Sequence, residues 1–248
     1  MRKLLRFIFR LLPKLVQGKL IYYRFRLKFP KQLGAYKDFH FSDEHLKFVH
    51  LLECVNYVRQ AEPMGVPMVF FEFGCSSGRT FSAIVNATKY FNITKAEFYA
   101  FDSFEGLPKT NLQEDGIFKT GEFSTPQSDF IKIVKHKTGI DLDVNHIIKG
   151  FYSESLTTEL QMRMPKVGMV HIDVDLYSSA TQVLEFIKPL MVEGTVIIFD
   201  DWYCFPPHSD QGERRAVREF IAANPSFRLE EWKAYSTCGK SFFVVSLP

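Results

Sequence analysis

From residue 66 onward, continuous apolar runs alternate with amphipathic segments along the chain. The apolar runs predict strands over 66–73, 96–102, 144–150, 167–173 and 194–200, followed by two more over 227–233 and 241–247. The segments between them predict helices over 79–91, 127–138, 178–190 and 212–223, and Ser42 is a candidate cap for a helix over 43–61. Apolar strands that alternate with helices are typical of a mostly parallel sheet covered on both faces. The last two strands have no helix between them, which predicts an antiparallel edge.

These elements fit one α/β domain of the Rossmann-like type, with a mostly parallel seven-stranded sheet, an antiparallel edge strand and helices on both faces. A chain of 248 residues is long enough for one such domain and its core. We find no internal repeat and no low-complexity linker. We therefore predict an N-terminal extension over 1–41 and a single domain over 42–248.

Charge separates the extension from the rest of the chain. Residues 1–31 contain ten lysines and arginines and no acid, which leaves 21 of the 31 basic residues against all 28 acidic residues in the remainder. Over 1–17, four basic residues recur every fourth position of an otherwise apolar segment, which predicts a basic amphipathic helix. Such a helix either lies on a membrane surface or packs on the body or on a partner subunit. Segment 20–30 alternates basic and apolar residues, so it is an edge strand or an extended arm.

Several classes of protein are disfavoured by what the chain lacks. No uncharged apolar run reaches about 18 residues, so no transmembrane helix is expected. Arg6 and Arg10 interrupt any secretory hydrophobic stretch, and the four cysteines form no zinc or disulfide pattern. We expect a cytoplasmic protein without a nucleic-acid partner. Peripheral contact at the inner membrane face through residues 1–31 and assembly into a homo-oligomer stay open.

The first chemical signal is a glycine turn between a strand and a helix, in FFEFGCSSGRTF at 70–81. Gly74 and Gly78 bracket Ser76 and allow the backbone to turn sharply and approach a ligand. Glu72 can face an ammonium group, and Asp102, which ends the next strand, can accept the hydroxyls of a ribose. No P-loop lysine is present, which disfavours a triphosphate. These residues predict S-adenosylmethionine as the cofactor.

The second signal is a set of acids at two strand ends. Asp173 follows one buried strand, and Asp200 and Asp201 follow the next. Open α/β sheets bind ligands at the carboxyl ends of their strands, and three crowded carboxylates repel one another unless a cation neutralises them. Carboxylate oxygens favour Mg²⁺, or Mn²⁺ and Ca²⁺. Asp175 is a competing ligand, which alternation turns the same way only if the strand continues past residue 173.

Six segments together carry a family resemblance. They are EFGCSSGRT (72–80), FDSFEGLP (101–108), KGFYSESL (149–156), HIDVDLY (171–177), GTVIIFDDW (194–202) and QGERRAVREF (211–220). In this order they resemble the macrocin O-methyltransferase family, which comprises class I S-adenosylmethionine-dependent enzymes that methylate sugar hydroxyls of natural products. The resemblance covers about 68–247 and does not include the basic extension.

The resemblance implies roles by position. It implies a metal triad of Asp173, Asp200 and Asp201, with Asp173 also catalytic and next to the cofactor. Glu72, Gly74, Ser76, Gly78 and Asp102 would hold the cofactor. Ser103 and Phe104 would lie beside the adenosine, and Tyr152 or Ser153 near the adenine. The implied acceptor is a hydroxyl of a sugar in a glycan or glycosylated natural product.

The base that removes the acceptor proton is not identified by the resemblance. Metal-dependent catechol methyltransferases place a lysine three residues after the first metal aspartate, where this chain has Leu176. His208, Asp210 and Tyr177 are the candidates, with His208 first because it lies in the loop after the paired aspartates. A catechol-type or other small-molecule methyltransferase, and a non-catalytic binding protein on the same fold, are the alternative functions.

Overall fold

The computed structural model describes residues 35–111, 116, 118–205 and 208–247, with side chains from residue 43 onward. The chain divides into two compact units, residues 1–45 and 46–248. In the first unit the described residues, 35–45, are helical. The predictions for 1–17 and 20–30 lie outside the described residues. Among the helices that are described, none combines the length and the apolar character needed to cross a membrane.

The described elements follow the predicted alternation. The helices are α1 (Ala35–Ala61), α2 (Arg79–Tyr90), α3 (Gln127–Thr138), α4 (Tyr152–Ser155), α5 (Thr158–Arg163), α6 (Tyr177–Ile187) and α7 (Gly212–Ala223). The strands are β1 (Val69–Phe73), β2 (Glu97–Asp102), β3 (Ile147–Lys149), β4 (Val167–Ile172), β5 (Met191–Phe199), β6 (Arg228–Tyr235) and β7 (Gly239–Ser246).

The seven strands form one sheet in the order β3-β2-β1-β4-β5-β7-β6. The first five strands of this order are parallel, and β7 runs antiparallel to both β5 and β6. This confirms the predicted mostly parallel sheet with an antiparallel edge. The strand order reverses between β1 and β4, and ligands of open α/β sheets bind outside the carboxyl ends of the strands at such a point.

Alternate residues of the strands face two separate cores. On one face, Phe73 stacks on Phe101 at a ring-centroid distance of 4.3 Å, and the cluster around them includes residues of α6 and α7. On the other face, Phe70 and Met169 belong to a cluster with residues of α1 and α2. Burying a large apolar side chain contributes about 1.5–3 kcal/mol. The two cores hold the carboxyl ends of β1, β2, β4 and β5 at one edge.

Most element ends lie within about three residues of the predicted ones, and three larger differences have physical reasons. Helix α1 begins at Ala35 and not at residue 43, because residues 35–42 contain neither proline nor glycine to stop it; the predicted domain boundary after residue 41 falls within this helix. Strand β3 is shorter because Val144–His146 form a 3₁₀ turn capped by the Asp143 carboxylate. The short helices α4 and α5 were not predicted, since one or two turns leave little periodicity to detect.

Candidate active site

The glycine turn after β1 packs directly against the end of β4. Gly74 has a φ of 83°, and a Cβ at this position would overlap the backbone carbonyl of Asp173. Gly78 has a φ of 68° and is the N-terminal cap residue of helix α2. Only glycine adopts such conformations at little cost and leaves room for the neighbouring strand. The turn therefore brings the β1 and β4 ends into backbone contact.

The Asp102 carboxylate holds this turn in shape. One of its oxygens accepts hydrogen bonds from the backbone N–H groups of Cys75 and Ser76 at 2.7 and 2.8 Å, and the other accepts from the N–H of Phe104 at 2.6 Å. A carboxylate offers about four acceptor positions. Three are thus engaged within the protein, which leaves about one acceptor position for the predicted contact with a ribose. Ser76 and Phe104 both have positive φ, at 40° and 56°, so the backbone around Asp102 is strained.

Glu72 lies in β1 with 1% of its surface exposed, and its Oε2 atom has no hydrogen-bond partner among the described residues. Burial, followed by repulsion from Asp173, raises the pKa of Glu72 well above its usual value. A buried carboxyl without a partner is costly, because it has lost water without gaining a donor. The ammonium of a methionine-like cofactor would supply both the donor and the charge. Glu72 therefore fits the cofactor predicted from the sequence.

The other residues predicted beside the cofactor surround the same turn. Ser103 Oγ donates to the carbonyl of Gly106 at 2.7 Å and so shapes the loop after β2. Phe104 is buried against Phe130, with ring centroids 5.4 Å apart. The Tyr152 hydroxyl donates to the carbonyl of Phe101 at 3.2 Å, and Ser153 is exposed at the start of α4. Their contacts with a cofactor stay predictions.

The strand-end acids form two overlapping groups. Ligand atoms of His171, Asp173 and Asp200 lie within 4.8 Å of one another, and so do those of Asp173, Asp175 and Asp201. Asp173 is common to both groups, whereas Asp200 and Asp201 belong to different ones. The donors are oxygens with one imidazole, and oxygen donors suit Mg²⁺, Mn²⁺ or Ca²⁺. The residues present therefore fit the divalent cation predicted from the sequence.

The acid groups repel one another strongly. Burial and the charge of Asp200 raise the pKa of Asp173 well above its usual value. Burial and Asp201 raise the pKa of Asp175 to about 9, and burial and Asp200 raise that of Asp201 to about 6. Burial also lowers the pKa of His171 to about 3, so its ring is neutral. A bound cation would relieve this repulsion, and a neutral imidazole is free to be a ligand.

Asp175 joins the cluster although its strand does not continue. Strand β4 ends at Ile172, and alternation alone does not determine the direction of Asp175. The backbone at Asp175 has a φ of 59°, and its N–H donates to Asp201 Oδ2 at 3.1 Å. This turn brings its carboxylate back to the cluster. Asp175 is therefore a full member of the acid group, which the strand pattern did not predict.

One lysine reaches the cluster from a different part of the chain. Lys47 Nζ in α1 lies 2.6 Å from Asp200 Oδ2 and 3.4 Å from Asp173 Oδ2, and 13% of the Lys47 side chain is exposed. Burial would lower the pKa of Lys47, but the two carboxylates raise it above its usual value. The same ammonium outweighs burial at Asp200 and lowers the pKa of that carboxyl. Lys47 is a counter-ion of the acids, and sequence reasoning missed it.

Two further residues support the paired aspartates. The Tyr235 hydroxyl is 3.0 Å from Asp200 Oδ1, to which it donates. Glu213, 1% exposed, accepts from the backbone N–H of Asp201 at 3.0 Å, and its Oε1 atom has no partner among the described residues. Burial, then repulsion from Asp201, raises the pKa of Glu213. The segment QGERRAVREF contains Glu213 and was the available signal for it, whereas nothing in the sequence pointed to Tyr235.

The three candidates for the base lie at different places. His208 is exposed, and its backbone carbonyl accepts from Arg214 Nη2 at 2.6 Å; within the described residues, no contact joins its ring to the acids. Asp210 is also exposed. The Tyr177 hydroxyl donates to Glu219 at 2.6 Å, on the surface of α7. The role of His208 as the base stays a prediction.

Comparison with known proteins bears on this arrangement. The family model described as Macrocin-O-methyltransferase (TylF) matches residues 44–225. The O-methyltransferase NovP has a similar structure, with 18% identity, 80% of this chain and 79% of that chain covered, and a TM-score of 0.63. CalS11, a calicheamicin methyltransferase, is 22% identical over 79% of this chain and 78% of its own, with a TM-score of 0.57. No curated protein sequence matches the chain. At these identities, the structural likenesses show the fold.

Proposed function

The chain belongs to the macrocin-O-methyltransferase family, and on this premise we propose that it transfers the methyl group of S-adenosylmethionine to a sugar hydroxyl of a glycosylated acceptor. The observation that carries the proposal is the position of the acid cluster. Asp173, Asp175, Asp200 and Asp201 lie at the carboxyl ends of β4 and β5, beside the glycine turn that ends β1. A cofactor on the turn and an acceptor on the acids would thus be adjacent.

The proposed cofactor site uses residues that the structure leaves partly unsatisfied. Glu72 would accept from the cofactor's ammonium, because its Oε2 atom is buried and has no donor in the described part of the chain. Asp102 holds the turn through three backbone N–H groups and would contact the ribose with its remaining acceptor position. Gly74 and Gly78 let the backbone approach the cofactor. Ser76, Ser103, Phe104 and Ser153 line the surrounding turns.

Asp173, Asp200 and Asp201 would hold a divalent cation, Mg²⁺ or alternatively Mn²⁺ or Ca²⁺. When bound, such a cation would orient the acceptor hydroxyl and lower its pKa. Asp173 belongs to both groups of candidate ligands, Asp200 to one and Asp201 to the other, and the oxygen donors and the mutual repulsion of the acids favour a cation there. Glu213 and Tyr235 would keep Asp201 and Asp200 in position through their hydrogen bonds.

The reaction needs one proton acceptor. The hydroxyl oxygen attacks the methyl carbon, the carbon–sulfur bond breaks with its electron pair going to sulfur, and the hydroxyl proton passes to a base. His208 is the candidate from the sequence, and Asp175 is the candidate that the cluster adds. The Asp175 carboxylate lies with those of Asp173 and Asp201, and it would accept the proton once a bound cation has lowered its raised pKa. The remaining contribution of the chain is to hold the two reactants in line.

The acceptor class follows from the family and from one neighbour. CalS11 is described as a TDP-rhamnose 3'-O-methyltransferase, and its apo structure is 19% identical to this chain, with 79% of each chain covered and a TM-score of 0.54. A catechol-type acceptor is the alternative. We also propose a cytoplasmic enzyme whose basic segment 1–31 makes peripheral contact with a membrane, which would suit a lipid-linked or surface glycan. Packing on the body or on a partner subunit, the latter in a homo-oligomer, would be the other use of this segment.

The proposal is tested by assaying transfer of labelled methyl groups from S-adenosylmethionine. The acceptors are a panel of nucleotide sugars, glycosylated natural products and catechols, each with Mg²⁺ and with EDTA. We expect methylation of a sugar hydroxyl that EDTA abolishes and Mg²⁺ restores. Preference for catechols would overturn the acceptor class, and full activity in EDTA would remove the cation from the mechanism.

Glu72→Gln tests the cofactor site separately from the chemistry. Loss of the charge should weaken binding of S-adenosylhomocysteine about 10- to 100-fold, since a hydrogen bond to a charged group contributes about 1.5–3 kcal/mol. The substitution should also stabilise the ligand-free protein, because it removes a buried acid whose pKa is raised. Calorimetry and thermal unfolding measure the two effects. Glu97→Gln, at the exposed start of β2, is the control, and unchanged affinity in Glu72→Gln would contradict the assignment.

A further inference from the structure

We propose that Lys47 is a built-in competitor of the divalent cation: its ammonium neutralises Asp173 and Asp200 in the metal-free protein, and the cation binds by displacing it. The inference rests on the cation in the proposed function. It gives α1 a role at the active site that neither the sequence motifs nor the acid cluster predicted.

The contacts of Lys47 carry the first step. Its Nζ atom lies 2.6 Å from an oxygen of Asp200 and 3.4 Å from an oxygen of Asp173. The same two aspartates form one of the candidate metal groups together with His171, since the ligand atoms of the three residues lie within 4.8 Å of one another. An ammonium and a divalent cation would therefore use the same two carboxylates. Two cations that share ligands at such distances exclude each other by charge and by volume.

Four carboxylates, those of Asp173, Asp175, Asp200 and Asp201, lie at the carboxyl ends of β4 and β5, and Lys47 Nζ contacts two of them. Glu72 Oε2, Glu213 Oε1 and both ring nitrogens of His171 are buried without a partner among the described residues. Lys47 compensates only part of this charge. A doubly charged ion with oxygen ligands compensates more, so it can displace the single ammonium.

Exchange of the two cations has a consequence for function. While Lys47 bridges Asp200 and Asp173, the metal-free site keeps its shape, because the carboxylates do not have to separate. The strength of the lysine contact then sets the concentration of cation at which the site loads. Lys47 is in this sense a positioning residue, since it acts through the aspartates and not on the methyl group.

The direct test is the chemical accessibility of Lys47 in the full-length chain. Reductive dimethylation is followed by mass spectrometry with and without saturating Mn²⁺, and Lys240 is the internal control. The Lys240 side chain is 12% exposed, close to the 13% of Lys47, and it pairs with Glu231. We expect Mn²⁺ to speed modification of Lys47 about tenfold or more and to leave that of Lys240 unchanged. Unchanged or slower modification of Lys47 would overturn the proposal.

Lys47→Met provides a second readout that does not depend on activity. In EDTA this variant should have a lower Tm than the wild type, because the acids lose their counter-ion, and Mn²⁺ should restore it. Mn²⁺ should also bind the variant at least about tenfold more tightly by calorimetry. Lys240→Met is the matched control, expected to change neither quantity. Weaker Mn²⁺ binding by Lys47→Met, or no binding by either protein, would overturn the proposal.

These outcomes separate this inference from the proposed function. If EDTA abolishes methyl transfer but Mn²⁺ leaves Lys47 protected, the enzyme uses a cation that does not compete with the lysine. If methyl transfer is complete in EDTA, the cation itself is removed from the mechanism, and Lys47 is a permanent counter-ion of the acids.

Discussion

Asp173→Asn is expected to reduce methyl transfer by about 10²- to 10³-fold or more, a loss typical of removing one group that stabilises the transition state. Asp173 is the residue that both groups of candidate ligands share. An amide in its place would therefore weaken cation binding whichever group holds the ion. Affinity for S-adenosylhomocysteine should change far less, because Glu72 and Asp102 provide the main proposed contacts with the cofactor. Single-turnover kinetics and calorimetry measure the two quantities.

The control for this substitution is Asp129→Asn, which alters an exposed aspartate that pairs with Lys132 on α3. It should leave turnover unchanged. Asp200→Asn is a useful comparison, because Asp200 also binds Lys47 and Tyr235 and its loss should lower stability as well as turnover. Turnover of Asp173→Asn within a few-fold of the wild type would show that the acid cluster is structural.

Gly74→Ala should have the largest effect on stability, a loss of more than about 4 kcal/mol in the free energy of unfolding, or no soluble protein. The methyl group would overlap the backbone carbonyl of Asp173. Backbone cannot move aside as a flexible side chain does, so β1 and β4 would have to separate at the site. Any protein that folds should also bind S-adenosylhomocysteine poorly. Urea unfolding and calorimetry give both results.

Gly121→Ala is the matched control for Gly74→Ala. Gly121 has a φ of 79°, close to the 83° of Gly74, but a Cβ there would meet no atom within 4 Å. Both variants experience the strain of a positive φ, which costs about 1–3 kcal/mol for a residue other than glycine. The difference between them reports the overlap with Asp173. Equal losses of stability in the two variants would mean that the turn tolerates a wider spacing from β4.

The strand pattern predicted most of the fold because burial on both faces leaves a long, continuous signal. Helices α3 and α7 have the predicted bounds, and the lack of a helix between β6 and β7 indicated their antiparallel pairing. The start of α1 was misplaced. Ser42 is a suitable cap residue, but it lies within the helix because residues 35–42 contain no proline or glycine that would break it. Helices α4 and α5 are too short to show a period.

The position of the acids was also accessible from the sequence, whereas their partners were not. Asp173, Asp200 and Asp201 follow buried strands, and parallel strands bring their carboxyl ends to one edge whatever the details of packing. Asp175 depends on a backbone turn with positive φ, which no pattern of apolar residues reveals. Asp102 was predicted to face a ribose, but its carboxylate also accepts three backbone N–H groups, which depends on the conformation of the neighbouring turn.

The sequence by itself determined the family, the order of the elements and the edge at which the chemistry would lie, because these follow from periodicity and from motifs that are contiguous in the chain. Only the tertiary structure decided which charges meet. Lys47 is 126 residues from Asp173 and 153 from Asp200, and its contact with them depends on how α1 packs against the sheet and on the rotamer of a long, flexible side chain. Such contacts between distant residues leave no local pattern, since a lysine on a helix is ordinarily solvated.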